Sequence, residues 1–172
     1  EFVCPDGSLI FSSNGLPAPA YEDMAGAWIL SYNNYFGKYF AKVITINTSK
    51  DGETLYIRNL FSNRELDNVQ LKYVNGRLEL HPHYLGKYEG YFVWGILFDT
   101  KQSTVLWDEQ TFAQGVFTRE NNRDVFYFSD ASTAVGDYSA DGLILYEFTS
   151  ETPSSSTRVN NLDILCDICI YR

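Results

Sequence analysis

From residue 26 onward apolar and polar side chains alternate at period two, and clusters of Gly, Pro, Asn or Asp break the alternation about every 8–12 residues. No segment keeps an apolar i, i+3, i+4, i+7 stripe over three turns, so helices are expected to be short or absent. The pattern predicts strands at 26–32, 39–47, 54–60, 69–74, 77–81, 88–98, 103–107, 114–118, 124–128, 143–149 and 162–171. Short-linked antiparallel strands with no helix to cover them close as a barrel or pack as a sandwich. The reading adopted is all-β: a single antiparallel meander barrel of about 8–11 strands over residues 24–172, entered through an irregular segment at 1–23. The Ser- and Thr-rich stretch 150–161 reads as a flexible loop, and no linker separates a second core.

The firmest local expectation is the hairpin NVQLKYV-NG-RLELHPH. Asn75-Gly76 suits a two-residue turn because both central positions need positive φ. Registering the strands across it pairs Tyr73 with Leu78 and Leu71 with Leu80 on one face, and Lys72 with Glu79 on the other. His81 and His83 would then share the face of Lys72 and Glu79, so the H-x-H pair reads as two solvated imidazoles. Two ligands are also too few for a protein zinc site.

Composition excludes several classes of function. The net charge is −9, from 22 acidic and 13 basic residues, and no Lys or Arg cluster offers the positive stripe that nucleic acid requires. No apolar run approaches the roughly 20 residues that span a bilayer as a helix. There is no G-x-S-x-G elbow, no phosphate loop and no evident base for a nucleophile, so neither catalytic residues nor a cofactor are assigned. Asp108-Glu109 after Trp107 reads as an acidic turn, although carboxylate pairs for sugar chemistry are a three-dimensional matter. In LDILCDICIY the even positions share one face, which turns Cys166 toward the apolar side and Cys169 away from it. A redox role for this C-x-x-C is therefore not assigned, and a bridge from Cys4 to either thiol remains open. The opening EFVCPDGS has no charged leader and no apolar core, and it is read as the start of an exported chain whose leader has been removed.

Two stretches bear on binding. In LYIRNLF, residues 55 to 61, Asn59 falls in the row of Leu55, Ile57 and Phe61. It is either a strand-end residue serving the backbone or a polar group looking into a cavity, on the inner face in both cases. In YEGYFVWGILF, Gly90 and Gly95 suggest a curved strand, with Phe92, Trp94, Ile96 and Phe98 on one face and Tyr91, Val93 and Leu97 on the other.

Gly26-Ala27-Trp28 in MAGAWILSY matches the G-x-W that opens lipocalin-like barrels. The order of KVITI, a D-G hairpin, LYIRNLF, VQLKYVNGRLEL and HPHY over residues 24–98 resembles the calycin-type domains of bacterial secreted and surface lipoproteins. The resemblance implies that Trp28 plugs one end of a barrel, that a small apolar or amphipathic molecule binds in the lumen, and that the protein works outside the cytoplasm, secreted, periplasmic or on the cell surface. On that reading Trp28, Leu55, Ile57, Asn59 and Leu71 line the interior, together with Tyr73, Leu78, Leu80, Phe92 and Trp94. The alternative is a carbohydrate- or protein-interaction module that uses exposed aromatics, for which Tyr84, Tyr88 and Trp107 are the candidates. An open lumen favours the first reading, and a filled barrel with an outer aromatic platform favours the second.

Overall fold

The computed structural model describes residues 17–107, 111–131 and 140–172. Among them it contains twelve strands: β1 (Gly26–Asn34), β2 (Tyr39–Thr48), β3 (Thr54–Arg58), β4 (Val69–Val74), β5 (Arg77–Leu80), β6 (His83–Tyr88), β7 (Tyr91–Asp99), β8 (Thr104–Leu106), β9 (Ala113–Glu120), β10 (Arg123–Ala131), β11 (Gly142–Phe148) and β12 (Arg158–Tyr171). The helices of the described residues are two 3₁₀ turns, Tyr21–Met24 and Ser62–Arg64. The fold is all-β, as the alternation predicts.

Eight strands close an antiparallel barrel in the order β1, β2, β3, β4, β5, β9, β10, β12 and back to β1, consistent with a lipocalin-like fold. The simple meander is broken at β6, β7, β8 and β11. These leave the barrel and continue the sheet from β12 through β11 to β7, which is flanked by β6 and β8. β12 serves both parts: its first half pairs with β11, from Phe148↔Arg158 to Gly142↔Cys166. Its last residues lie between β1 and β10, with Leu30↔Ile170 on one side and Phe126↔Ile170 on the other.

A bulge at Asp167 makes this double use possible. Asp167 has φ of 51°, and the pairing jumps from Ser31↔Cys169 to Asn33↔Cys166, so one extra residue sits on β12. The inward positions change from Leu165 before the bulge to Ile168 and Ile170 after it. An unbroken alternation over LDILCDICIY is thereby corrected. Cys166 and Cys169 both lie with the outward row of β1, opposite Asn33 and Ser31, and both are free thiols. Burial pushes each up to about 11. Cys4 lies outside the described residues.

The Asn75-Gly76 turn forms as expected, with φ of 52° and 76° and the pairs Tyr73↔Leu78 and Lys72↔Glu79. The charges across it do not meet: Lys72 pairs with Glu53 at 3.6 Å, while Glu79 is buried and bonds His81 at 2.9 Å. A second turn of this kind, Glu89-Gly90, has φ of 51° and 85° and joins Tyr88↔Tyr91. The expected single strand 88–98 is therefore two strands, and Gly90 provides a turn rather than curvature.

LYIRNLF is not a strand throughout. β3 ends at Arg58, and Asn59 takes φ of 71° with an exposed side chain. The left-handed residue resets the alternation, which buries Leu60 and Phe61 in succession. Asn59 thus belongs neither to the inner face nor to a cavity; it is the corner of the chain, a place that Asn tolerates better than other non-glycine residues. Asn59→Gly should leave stability nearly unchanged, whereas Asn59→Val should cost about 1–2 kcal/mol in chemical denaturation, the price of a β-branched residue in the left-handed region.

Candidate functional site

Seven of the expected lumen residues do face the barrel interior. Trp28, Leu55, Ile57, Leu71, Tyr73, Leu78 and Leu80 are all buried and belong to one cluster with Phe117, Phe126 and Phe128. Phe126 is its centre, with ring centroids 5.3 Å from Phe117, 5.9 Å from Trp28 and 6.0 Å from Tyr73. The Tyr73 hydroxyl donates to the Pro19 carbonyl at 2.6 Å, and burial, the largest cause, raises its pKa. At Gly115 a Cβ would stand 2.6 Å from Phe128 Cζ and 3.0 Å from Leu78 Cβ. The interior around these residues is filled with side chains.

The remaining three expected lumen residues lie elsewhere. Asn59 is the exposed corner described above, and Phe92 and Trp94 point away from the barrel. β7 belongs to the extension, and its inward row is Val93 and Leu97, which join the main core. The strand is covered on both sides, as its sequence suggests, but the bulkier aromatic row faces outward.

That outward row builds a second, smaller cluster. Ile96, Phe98, Ile144 and Phe148 are buried in it, with Phe92, Trp94, Tyr146 and Ile164 packed against them. Strand register sets Trp94 opposite Tyr146 on β11 and opposite Tyr84 on β6. The Trp94 indole N–H donates to the Glu151 carbonyl at 3.0 Å, and the Trp107 ring meets Phe148 edge-on at 5.8 Å. Between these groups opens a cleft of about 550 Å³ lined by Pro82, Trp94, Ile96, Trp107 and Glu151–Pro153. Another cleft, of about 330 Å³, lies at the barrel end beside the β1–β2 hairpin and is lined by the inward-row residues Tyr32, Phe40 and Lys42 with Leu60 and Phe61; others lie against the outer side of that hairpin at Asn34–Phe36 and near Arg119 and Arg172.

The stretch 150–161, read as a flexible loop, forms one wall of this cleft. Its base is closed by the Thr149 N–H to the Thr157 carbonyl at 2.9 Å, and Ser154 N–H donates to Thr157 Oγ1 at 3.1 Å. Of the three candidate exposed aromatics, Trp107 and Tyr84 belong to this face and Tyr88 does not. A register shift at Leu85 and Gly86 turns Tyr88 onto the main core, while Tyr84 stays beside Trp94 at 6.1 Å. Burial and then the Glu151 charge raise the Tyr84 pKa. Alternation alone cannot tell which face of a strand is inner, so the sequence had no signal that joined Trp94 to Trp107.

The two histidines are not both solvated. His83 is tied at both ring nitrogens: the Gln70 N–H donates to Nε2 at 3.0 Å, so Nδ1 carries the proton and bonds the His81 carbonyl at 2.8 Å. Burial, the first cause, lowers its pKa. His81 pairs with Glu79 and packs on Phe112 at 5.1 Å. Among the described residues no group of three His, Cys, Asp or Glu could hold a metal. Asp108 and Glu109 lie outside the described residues.

Two measurements follow from these contacts. Gly115→Ala should destabilise the protein by about 1–3 kcal/mol in urea unfolding, because a packed ring must move to admit one methyl. For His83 the folded pKa lies below the unfolded value of about 6.5, so its stabilisation is complete above that pH and is lost as pH falls through it. Glu147, whose pKa burial raises, acts in the opposite sense at these pH values, so the His83 effect is read by difference. His83→Gln should lower the melting temperature at pH 7 and narrow the gap between pH 7 and pH 5 relative to wild type.

No protein-family model, curated protein or solved structure matches the chain.

Proposed function

We propose that this protein is a non-enzymatic carbohydrate-binding module that takes its ligand on the outer aromatic face of β7 rather than in the barrel. The observation that carries the reading is the cleft lined by Trp94 and Trp107, outside a barrel whose interior around Phe126 is packed with aromatic rings. Sugar rings have apolar faces that pack on indoles and hydroxyl rims that need acceptors and donors. The cleft combines two Trp rings with Ile96, Glu151 and Thr152. Its volume is within the usual range of about 300–1,000 Å³ for small-ligand sites. The Trp94 ring is held by its bond to the Glu151 carbonyl and the Trp107 ring by Phe148, so little side-chain freedom is lost on binding.

Glycoside hydrolysis uses two flanking carboxyl groups, and among the described residues that line the cleft Glu151 is the one acid. The G-x-W strand together with an eight-stranded barrel supports a calycin-type domain, and with that resemblance goes an exported protein, secreted, periplasmic or surface-tethered.

Isothermal titration against a panel of oligosaccharides tests the proposal. Trp107→Ala should weaken the best binder by at least about tenfold, the scale of losing one apolar side-chain contact; because the ring also covers Phe148, the free variant should melt lower, and binding is compared at a temperature where both proteins are folded. A fatty acid or pigment that raises the melting temperature equally in wild type and Trp107→Ala would return the site to the barrel. Turnover of a bound glycan that vanishes in Glu109→Gln would make the protein an enzyme.

A further inference from the structure

Away from the Trp94 cleft, exposed apolar surface is concentrated on the β1–β2 hairpin. Five of the eight large hydrophobic residues exposed among the described residues lie there: Tyr35, Phe36, Tyr39, Phe40 and Val43. Phe36 at the tip is 90% exposed. Scattered apolar residues need no explanation, but here Tyr35 and Phe36 stand at the tip and Tyr39 and Val43 on the outward row of β2, while Phe40 is on its other face against Tyr32, a concentration on one hairpin that marks an interaction site.

The tip is built to hold this shape. The Asn34 side-chain oxygen accepts the N–H groups of Phe36 at 3.0 Å and Lys38 at 2.9 Å, and the Asn34 carbonyl accepts Gly37 N–H at 2.9 Å. Asn34 N–H in turn donates to the Lys38 carbonyl at 2.9 Å, and Gly37 supplies the φ of 81° that the turn needs. The polar backbone is thus satisfied within the turn while Phe36 projects from it. Tyr35 meets Phe36 edge-on at 5.8 Å and leans on Phe98 at 6.4 Å.

Charge separates this surface from the rest of the chain. Residues 24–50 contain no Asp or Glu, and the tip and its β2 stem carry Lys38 and Lys42. The whole chain is −9. Lys38 lies over the Phe40 ring at 5.3 Å, and Lys42 is anchored to Ser62 Oγ at 2.9 Å. The carboxylates behind the tip are engaged, Asp163 with Arg64 at 3.8 Å and Asp167 with the Asn33 amide at 3.1 Å.

We propose that the β1–β2 hairpin docks the protein on a lipid bilayer, with Phe36, Tyr35 and Tyr39 in the headgroup region and Lys38 among anionic headgroups. Aromatic rings with polar rims and lysines with apolar stems are the side chains that partition to that zone. A narrow projecting tip suits a fluid surface, which closes around it, better than a flat protein face. Two copies meeting tip to tip would oppose their lysines.

The test is co-sedimentation with vesicles of phosphatidylcholine alone and of phosphatidylcholine mixed with phosphatidylglycerol. Wild type should bind both, more tightly to the mixed vesicles at low salt, since the lysine contribution is screened. Phe36→Ser should reduce partitioning to both by at least about tenfold. Lys38→Gln should reduce it on the mixed vesicles alone, and Phe36→Trp should keep binding and shift its emission to the blue with vesicles. Each substitution is at the exposed tip, so the melting temperature should stay that of wild type. Absence of wild-type binding at saturating lipid would overturn the proposal, as would a Phe36→Ser variant that binds like wild type. A concentration-dependent dimer that Phe36→Ser abolishes, with no vesicle binding, would assign the hairpin to a second copy of the chain.

Discussion

The barrel closes where β1 meets β12, and there Trp28 near its start packs under Arg172 at its end. The Arg172 guanidinium lies 4.1 Å from the Trp28 ring centroid, donates to the Asp23 carbonyl at 2.7 Å and pairs with Asp124 at 3.6 Å. The Trp28 indole N–H donates to the Met24 carbonyl at 2.8 Å, so the ring is fixed from inside as well. Backbone bonds between Arg172 and Asp124, at 3.1 and 3.2 Å, hold the last residue in the ladder. A cation over an indole, desolvated on one side, joins the strand that opens the barrel to the strands that complete it.

From that closure the position of the outer cleft follows. With Trp28 at one end and Phe117, Phe126 and Phe128 behind it, aromatic side chains pack the interior around Phe126. β12 is longer than the barrel needs, and its first half carries the sheet outward to β11 and β7. Such an extension has two faces to cover. Leu143, Leu145, Val93 and Leu97 join the main core on one side, and the other buries a smaller cluster under Trp107 and the loop after β11. Cover on that outer side is incomplete, and the gap is the cleft.

The same economy places the charges. Carboxylates take up local tasks in the turns: Asp51 accepts from Glu53 and Thr54, and these bonds hold its carboxyl well below the usual carboxylate range. Asp99 caps the turn at Lys101 and Gln102. The β1–β2 hairpin, whose turn is closed by an amide instead, stays free of acids and differs from the rest of the surface in both charge and apolarity.

Much of the fold was legible from residues 26–81, because period-two alternation and a turn such as Asn75-Gly76 are local chemistry, decided by φ and by which neighbours share a face. Strand existence, the register of that hairpin, the scarcity of helix and the inward row of Leu55, Ile57, Leu71, Tyr73 and Leu78 are written there. The remainder turned on residues that reset the alternation or on contacts remote in sequence. Positive φ at Asn59 and Asp167 moved Asn59 out of the inner row and brought Cys166 and Cys169 to one side, and each costs only one residue in an otherwise regular pattern. Alternation also assigns residues to two faces without saying which is inner. That choice, for Phe92 and Trp94, was made by the pairing of β7 with β11 and of β11 with β12, 50 to 70 residues away. The sequence by itself determined that this chain makes strands and where most of them lie, whereas only the tertiary structure decided which aromatic row faces the barrel core and that Trp94 and Trp107 line one cleft outside it, because burial is a property of the assembled sheet.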